Sequence, residues 1–158
     1  MKVLLPQHAV TYLGDGPDRQ KLFEQLRSIG RLNHPNIANF YDMGEHSNML
    51  YFVREYVEGT PVSKAEIAEE QHETEVLNIA QTLVRALSSA QKEGMLHLNI
   101  KADNVWMSEA GQVKLTDFFI PGFNQPPGSG KVLFPAQWHY AAPEILDEEV
   151  GDAKSDLY

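Results

Sequence analysis

The sequence predicts a globular α+β fold, and three features carry that expectation. Residues 37–45 and 49–57, separated by a polar His46-Ser47-Asn48 turn, read as two paired strands. An apolar stripe at helical spacing, Val76, Ile79, Ala80, Leu83, Val84, Leu87 and Ala90, reads as a long amphipathic helix. Beyond it, Val105 to Met107 and Val113 to Thr116, joined through Glu109-Ala110-Gly111, read as a second hairpin.

The elements follow in order. Residues 1–5 read as a short strand, and Gly14-Asp15-Gly16-Pro17 as a breaker cluster ending the first loop. A helix is expected next: Pro17 suits a first helical position, Asp18 favours the positive end of the dipole, and Leu22, Leu26 and Ile29 recur at i, i+4, i+7. After the two strands, Ser63-Lys64-Ala65-Glu66 has the spacing of a capping box and predicts the start of a short helix. Gly94 sits where a C′ glycine would end the long helix. Residues 121–130, with three Pro and three Gly, read as a loop, and no internal repeat is present.

Composition narrows the function classes. A length of 158 residues suits one domain with a core, and 42% hydrophobic content with 9% aromatics marks a globular rather than a disordered chain. A net charge of −9 argues against a nucleic-acid or anionic-membrane surface, because both need basic patches to neutralise phosphates. Protein partners and small molecules remain. The absence of cysteine excludes a disulfide framework and a Cys-based zinc site, and it fits a reducing, cytoplasmic compartment. No run of about 18 apolar residues and no signal-peptide pattern occurs, so no membrane segment is expected within these residues; an anchor of a parent protein would lie outside them.

A set of motifs then points to one family. His97-Leu98-Asn99-Ile100-Lys101-Ala102-Asp103-Asn104, followed by Asp117-Phe118-Phe119, resembles the catalytic loop H-R-D-L-K-x-x-N and the metal loop D-F-G of protein kinases. Met1-Lys2-Val3-Leu4 resembles the end of the V-A-I-K strand, and Leu32-Asn33-His34-Pro35-Asn36-Ile37 the link after helix C. Glu55-Tyr56-Val57-Glu58-Gly59 resembles the hinge, Tyr140-Ala141-Ala142-Pro143-Glu144 the Y-x-A-P-E segment, and Ser155-Asp156-Leu157-Tyr158 the start of helix F. With these motifs in kinase order, the chain is identified as a member of the protein kinase superfamily, closest in style to bacterial serine/threonine kinases. The resemblance implies a two-lobed fold, of which residues 1–57 form a partial N-lobe and hinge and residues 58–158 a partial C-lobe. The family's Gly-rich loop would precede Met1 and further helices would follow Tyr158, so the sequence reads as the middle of a ~260-residue domain.

What the resemblance implies for chemistry can be taken position by position, because phosphoryl transfer asks mainly for positioning and electrostatics. Lys2 matches the strand lysine that pairs with ATP phosphates, the plainer alternative being a solvated N-terminal lysine. Its usual helix C glutamate falls on Gln25, with Glu24 ~100° around the helix; Gln25 can bond Lys2 but cannot neutralise it. Glu55 and Val57 match hinge positions that hold the nucleotide base. Asn104 and Asp117 match the two magnesium ligands, oxygen donors suited to a hard cation, the alternative being a loop-bracing amide and an ordinary turn aspartate. Asn99 stands at the catalytic-base position, where a neutral amide can orient a hydroxyl but cannot take its proton. Asp103 is no obvious rescue, because the matching family residue points away from the substrate.

Further departures surround these positions. Lys101 matches the catalytic-loop lysine, but Gln137 replaces the Thr that usually touches it. Leu98 replaces the Arg that grips a phosphorylated activation loop, and Ser129 is the only hydroxyl side chain between Asp117 and His139. Phe119 replaces the D-F-G glycine, disfavouring positive φ by roughly 1–2 kcal/mol. Arg54 falls at the gatekeeper position and Trp106 at the floor under adenine. A guanidinium there needs a partner, with Asp117, Glu24 or the face of Trp106 as candidates, and the two side chains are expected to fill part of the pocket. The alternative leaves Arg54 in solvent and Trp106 as plain core. Glu144, Asp156 and His97 are expected to be structural.

The resulting expectation is a catalytically impaired, pseudokinase-like domain with a binding, scaffolding or signalling role and a protein partner. An active but unconventional serine/threonine kinase using ATP and magnesium through Lys2, Asn104 and Asp117 is the alternative. A remnant that does not fold stably is a third reading, and the Y-x-A-P-E-like segment speaks against small-molecule phosphotransferases.

Overall fold

Alternation along one short strand decides where the cleft's most unusual side chain goes. The computed structural model describes residues 2–3, 27–46, 49–66, 72–118, 140–146 and 152–158. Its first sheet is antiparallel, in the order β1 (Lys2–Val3), β3 (Met49–Arg54), β2 (Phe40–His46). In β3, Phe52 is 4% exposed and opposite Lys2, and the period-two rule sends Arg54 to the same inward face. The β2–β3 ladder slips between Phe40 and Asp42, as at a bulge, and Tyr41 is exposed. Phe40 and Phe52 meet in a tilted contact, with ring centroids 6.2 Å apart and planes inclined at 55°.

The first expected strand is shorter than its sequence run. Ile37 does not continue β2 but forms an isolated parallel bridge with Leu115. Ala38 donates to the Leu115 carbonyl at 2.9 Å, Leu115 donates to that of Asn36 at 2.8 Å, and the Asn36 side chain reaches the Val113 carbonyl at 2.8 Å. These bonds join the chain before the first hairpin to the second sheet. That sheet runs β4 (Thr60–Pro61), β5 (Val105–Met107), β6 (Val113–Leu115), again antiparallel, so the second predicted hairpin is present.

The capping-box expectation at Ser63 is corrected. Val62–Lys64 is a single 3-10 turn, and Ala65 has left it for an extended conformation. The Ser63 hydroxyl donates to the Asp103 carboxylate at 2.6 Å, a charge-assisted bond that takes the side chain away from the backbone N–H it would have capped.

Helix α1 (His72–Lys92) is the long predicted helix, but its buried stripe is displaced. Ile79, Ala86, Leu87 and Ala90 are buried and Leu83 half-buried, whereas Val76 and Val84 are 45% and 49% exposed and Ala80 is exposed. The stripe serves two clusters. Ala86 and Ala90 meet Leu32, Ile37 and Phe118, their small side chains admitting the Phe118 ring, while Ile79 and Leu87 meet Val105, Val113 and Leu115. Gly94, at φ 73°, ends the helix as expected. Met95 N–H bonds the Ala90 carbonyl and Gly94 N–H that of Gln91, the two bonds of a Schellman cap, and Met95 packs on the first cluster.

Helix α2 (Pro143–Leu146) opens with a proline at its first position, where no N–H is needed. Residues 27–29, the last of the stretch expected to be helical from residue 17, are helical. The rest of that helix, including Glu24 and Gln25, lies outside the described residues, as do Phe119, Ser129, Gln137 and the loop 121–130. No helix among the described residues is long and apolar enough to cross a membrane.

Candidate functional site

The segment from His97 to Asn104 is fixed by groups far away in sequence. Asp156 accepts the N–H of His97 at 2.8 Å on one carboxylate oxygen and that of Leu98 at 2.6 Å on the other. This grip holds Leu98 at φ 51°, a left-handed conformation that a branched side chain adopts only at a cost of about 1–2 kcal/mol. Burial pushes the Asp156 carboxyl above its ordinary value, and the two N–H bonds only partly offset it. His97 is fully buried, with its ring 4.4 Å from that of Phe118 and Nε2 3.1 Å from the Thr116 carbonyl. Because that carbonyl only accepts, Nε2 carries the proton and Nδ1 accepts from Asn99 N–H at 3.2 Å. Desolvation lowers the ring's pKa to about 4, so the imidazole is neutral at neutral pH and acts as scaffold.

The two asparagines close the loop onto the strand that follows. Asn104, on the 3-10 turn Ala102–Asn104, donates its amide to the Asn99 carbonyl at 2.7 Å, and its own carbonyl accepts from Thr116 N–H and hydroxyl. The Asn99 side chain donates in turn to the Asp117 carbonyl at 3.0 Å. An aspartate could not make that bond, having no proton to give at neutral pH. Asp117 itself sits at φ 60°, just past β6.

The Asp117 carboxylate faces the inward end of β3. Arg54 Nε lies 3.4 Å from Asp117 Oδ1, with the two side chains 23% and 19% exposed, and Arg54 Nη1 donates to the Glu55 carbonyl at 3.2 Å. Of the partners the sequence offered, Asp117 is the one with which an ion pair is observed, and Glu24 lies outside the described residues. Trp106 lies on β5 opposite Lys114.

Glu55 turns its carboxylate to Lys114 and to the Asn39 N–H. Burial by itself would raise it, but Lys114, the Asn39 N–H at 3.0 Å and the Arg54 charge carry it below the ordinary carboxylate value. Lys114 escaped the sequence reading. The signal was available: alternation places it opposite to the buried Val113 and Leu115. Ser155 was likewise passed over as a partner, and its hydroxyl bonds the Glu144 carboxylate.

Of the expected site residues, the structure therefore brings Asn99, Asn104, Asp117, Arg54 and Glu55 together. Val57 is buried beside the hinge. Lys2 is known as a strand residue paired with Phe52, its side chain lying outside the described residues. Lys101 lines a cavity of about 400 Å³ with Leu83 and Tyr158, a space that shares Asn99 but neither Arg54 nor Asp117.

At the two family ligand positions, the Asp117 carboxylate is ion-paired with Arg54 and the Asn104 amide nitrogen is bonded into the loop.

Comparison with known proteins gives the same architecture. Residues 10–158 match the family model described as the protein kinase domain; Lys2 lies outside that match. The serine/threonine-protein kinase PrkC of Bacillus subtilis is 32% identical over 151 residues, covering 93% of this chain and 23% of that protein. The probable serine/threonine-protein kinase pknA2 of Bifidobacterium longum is 29% identical, covering 94% and 20%. The chain thus spans about a quarter or less of these relatives. Among solved structures, the Mycobacterium tuberculosis PknI kinase domain superposes with a TM-score of 0.71 at 26% identity, over 98% of this chain and 57% of that one, and a mutant form of that domain with a TM-score of 0.72.

Proposed function

From a chain that belongs to the protein kinase domain family, we propose a kinase-fold module that keeps the family's architecture but is impaired in phosphoryl transfer, and that serves a binding, scaffolding or signalling role toward a protein partner in the cytoplasm. Its lobes divide near residues 57 and 58. The observation that carries this reading is the Asn99 side chain donating to the Asp117 carbonyl at 3.0 Å. Phosphoryl transfer to a hydroxyl needs an acceptor for its proton at that position, and an amide has no basic lone pair. Here the amide has a different task, tying the catalytic loop to the metal loop.

Magnesium and ATP would supply the phosphoryl group and the charge to stabilise its transfer in an active relative of this fold. In this chain Asn104 and Asp117 hold the family's ligand positions; the Asn104 amide nitrogen bonds the Asn99 carbonyl, and the Asp117 carboxylate is ion-paired with Arg54. The second reading, an unconventional active kinase, rests on those same retained residues and on relatives named as serine/threonine kinases.

The two readings separate in a transfer assay with γ-labelled ATP, magnesium, and casein and myelin basic protein as acceptors. The proposal expects label incorporation equal to that of an Asp117→Ala variant. A wild-type rate that Asn99→Ala or Asp117→Ala abolishes would establish the active kinase instead.

A further inference from the structure

We infer that Arg54 is a built-in counter-ion that takes the place of a divalent cation at Asp117, so that the cleft rejects divalent cations and metal-complexed nucleotides. The inference rests on the kinase-fold reading of the cleft, but not on whether phosphate is transferred. Three observations carry it. Alternation along β3 sends Arg54 inward with Phe52. Its guanidinium then joins the Asp117 carboxylate at 3.4 Å to the carbonyl of its chain neighbour Glu55 at 3.2 Å. Both side chains of the ion pair are about four-fifths shielded from solvent, so neither charge is well hydrated in its own right.

A hard cation entering here meets a cost on each side. Magnesium uses one or two carboxylates plus waters and phosphate oxygens, and Asp117 is the one carboxylate that the family register offers at this point. To take it, the cation must compete with the guanidinium, which would be left, largely shielded from water, with the Glu55 carbonyl and the nearby Glu55 carboxylate, next to a second and larger positive charge. Deprotonation offers no escape, since a guanidinium stays charged at any accessible pH. Removing the charge while keeping the length, as in Arg54→Met, takes the guanidinium away from the Asp117 carboxylate. Arg54→Lys keeps the charge and should keep the exclusion.

The test is a thermal-shift titration of the full 158-residue chain with ATP, with magnesium chloride, and with both, on wild type, R54M, R54K and D117N. Wild type and R54K should show no magnesium-dependent shift beyond that of D117N, whereas R54M should gain roughly 3–6 °C at about ten times the dissociation constant. The inference is overturned if wild type shows a magnesium shift that D117N removes, or if folded R54M gains none. Should R54M not fold, water-proton relaxation with manganese on wild type and D117N decides: an Asp117-dependent manganese site in wild type overturns the inference, and equal titrations support it. Asp117-dependent cation binding without phosphate transfer defeats this inference alone. Phosphate transfer without such binding defeats the proposed function alone.

Discussion

Single atoms decide whether the 97–104 loop is a catalytic device or a structural one. Asn99 was legible as the residue at the family's base position, because its place in the motif is fixed by His97, Lys101 and Asn104 around it. That its amide donates to the Asp117 carbonyl was not legible, since a motif gives a position and not the direction in which a side chain points. The Arg54–Asp117 pair stood as one of several possibilities for the same reason. Asp156 carries the clearest residue-level consequence. Its two carboxylate oxygens hold the N–H groups on either side of the Cα of His97 and the strained Leu98. Asp156→Ala leaves both N–H groups without that acceptor and should cost about 2–4 kcal/mol in urea denaturation. Asp156→Asn keeps one acceptor oxygen and should cost roughly half as much; equal losses for the two variants would mean that the N–H bonds are not what the carboxylate provides.

At the scale of elements, the strength of the local signal separates what was foreseen from what was not. Helix α1 and its Gly94 cap were legible because an apolar period and a terminal glycine act over one or two turns. The exact core stripe was not: Val84 and Val76 are as apolar as Ile79, and only the placement of Leu32, Phe118 and β5–β6 makes Ala86 a core residue and leaves the valines exposed. The Ser63 capping box misled because Asp103, forty residues on, competes for the hydroxyl. Two glycines give a graded test of turn geometry. Gly94 has open space around an added Cβ, so Gly94→Ala should cost only the backbone term, about 1 kcal/mol. Gly59, at φ 112°, would drive a Cβ into the Met107 carbonyl that pairs β5 with β4. Gly59→Ala should therefore cost clearly more, about 3 kcal/mol or above. A comparison of thermal midpoints checks the order, and the reverse order would contradict the described hinge.

For the whole molecule, the buried imidazole ties stability to pH. His97 has its pKa depressed to about 4 from 6.5, so the unfolded chain binds a proton that the folded chain refuses between those values. The stabilisation is complete above pH 6.5 and is lost as pH falls toward 4, amounting to about 3 kcal/mol from a shift of that size. Glu55, lowered below its ordinary value, adds to the loss at the acid end of the same range, while Asp156, raised by burial, works in the opposite direction. Thermal midpoints between pH 7.5 and 4.5 should fall, and His97→Gln should flatten the fall; an unchanged slope would contradict the neutral buried ring. The family was legible from its motifs in kinase order, because order along the chain survives substitutions that change chemistry. Activity was not, because it depends on contacts between those motifs, and the described contacts commit Asn99, Asn104 and Asp117 to one another and to Arg54. The most direct check is a single-turnover transfer experiment with protein in excess over γ-labelled ATP, magnesium and an acceptor protein. The account predicts wild-type label transfer indistinguishable from that of Asp117→Ala, and a wild-type rate tenfold or more above that variant and lost in Asn99→Ala would contradict it.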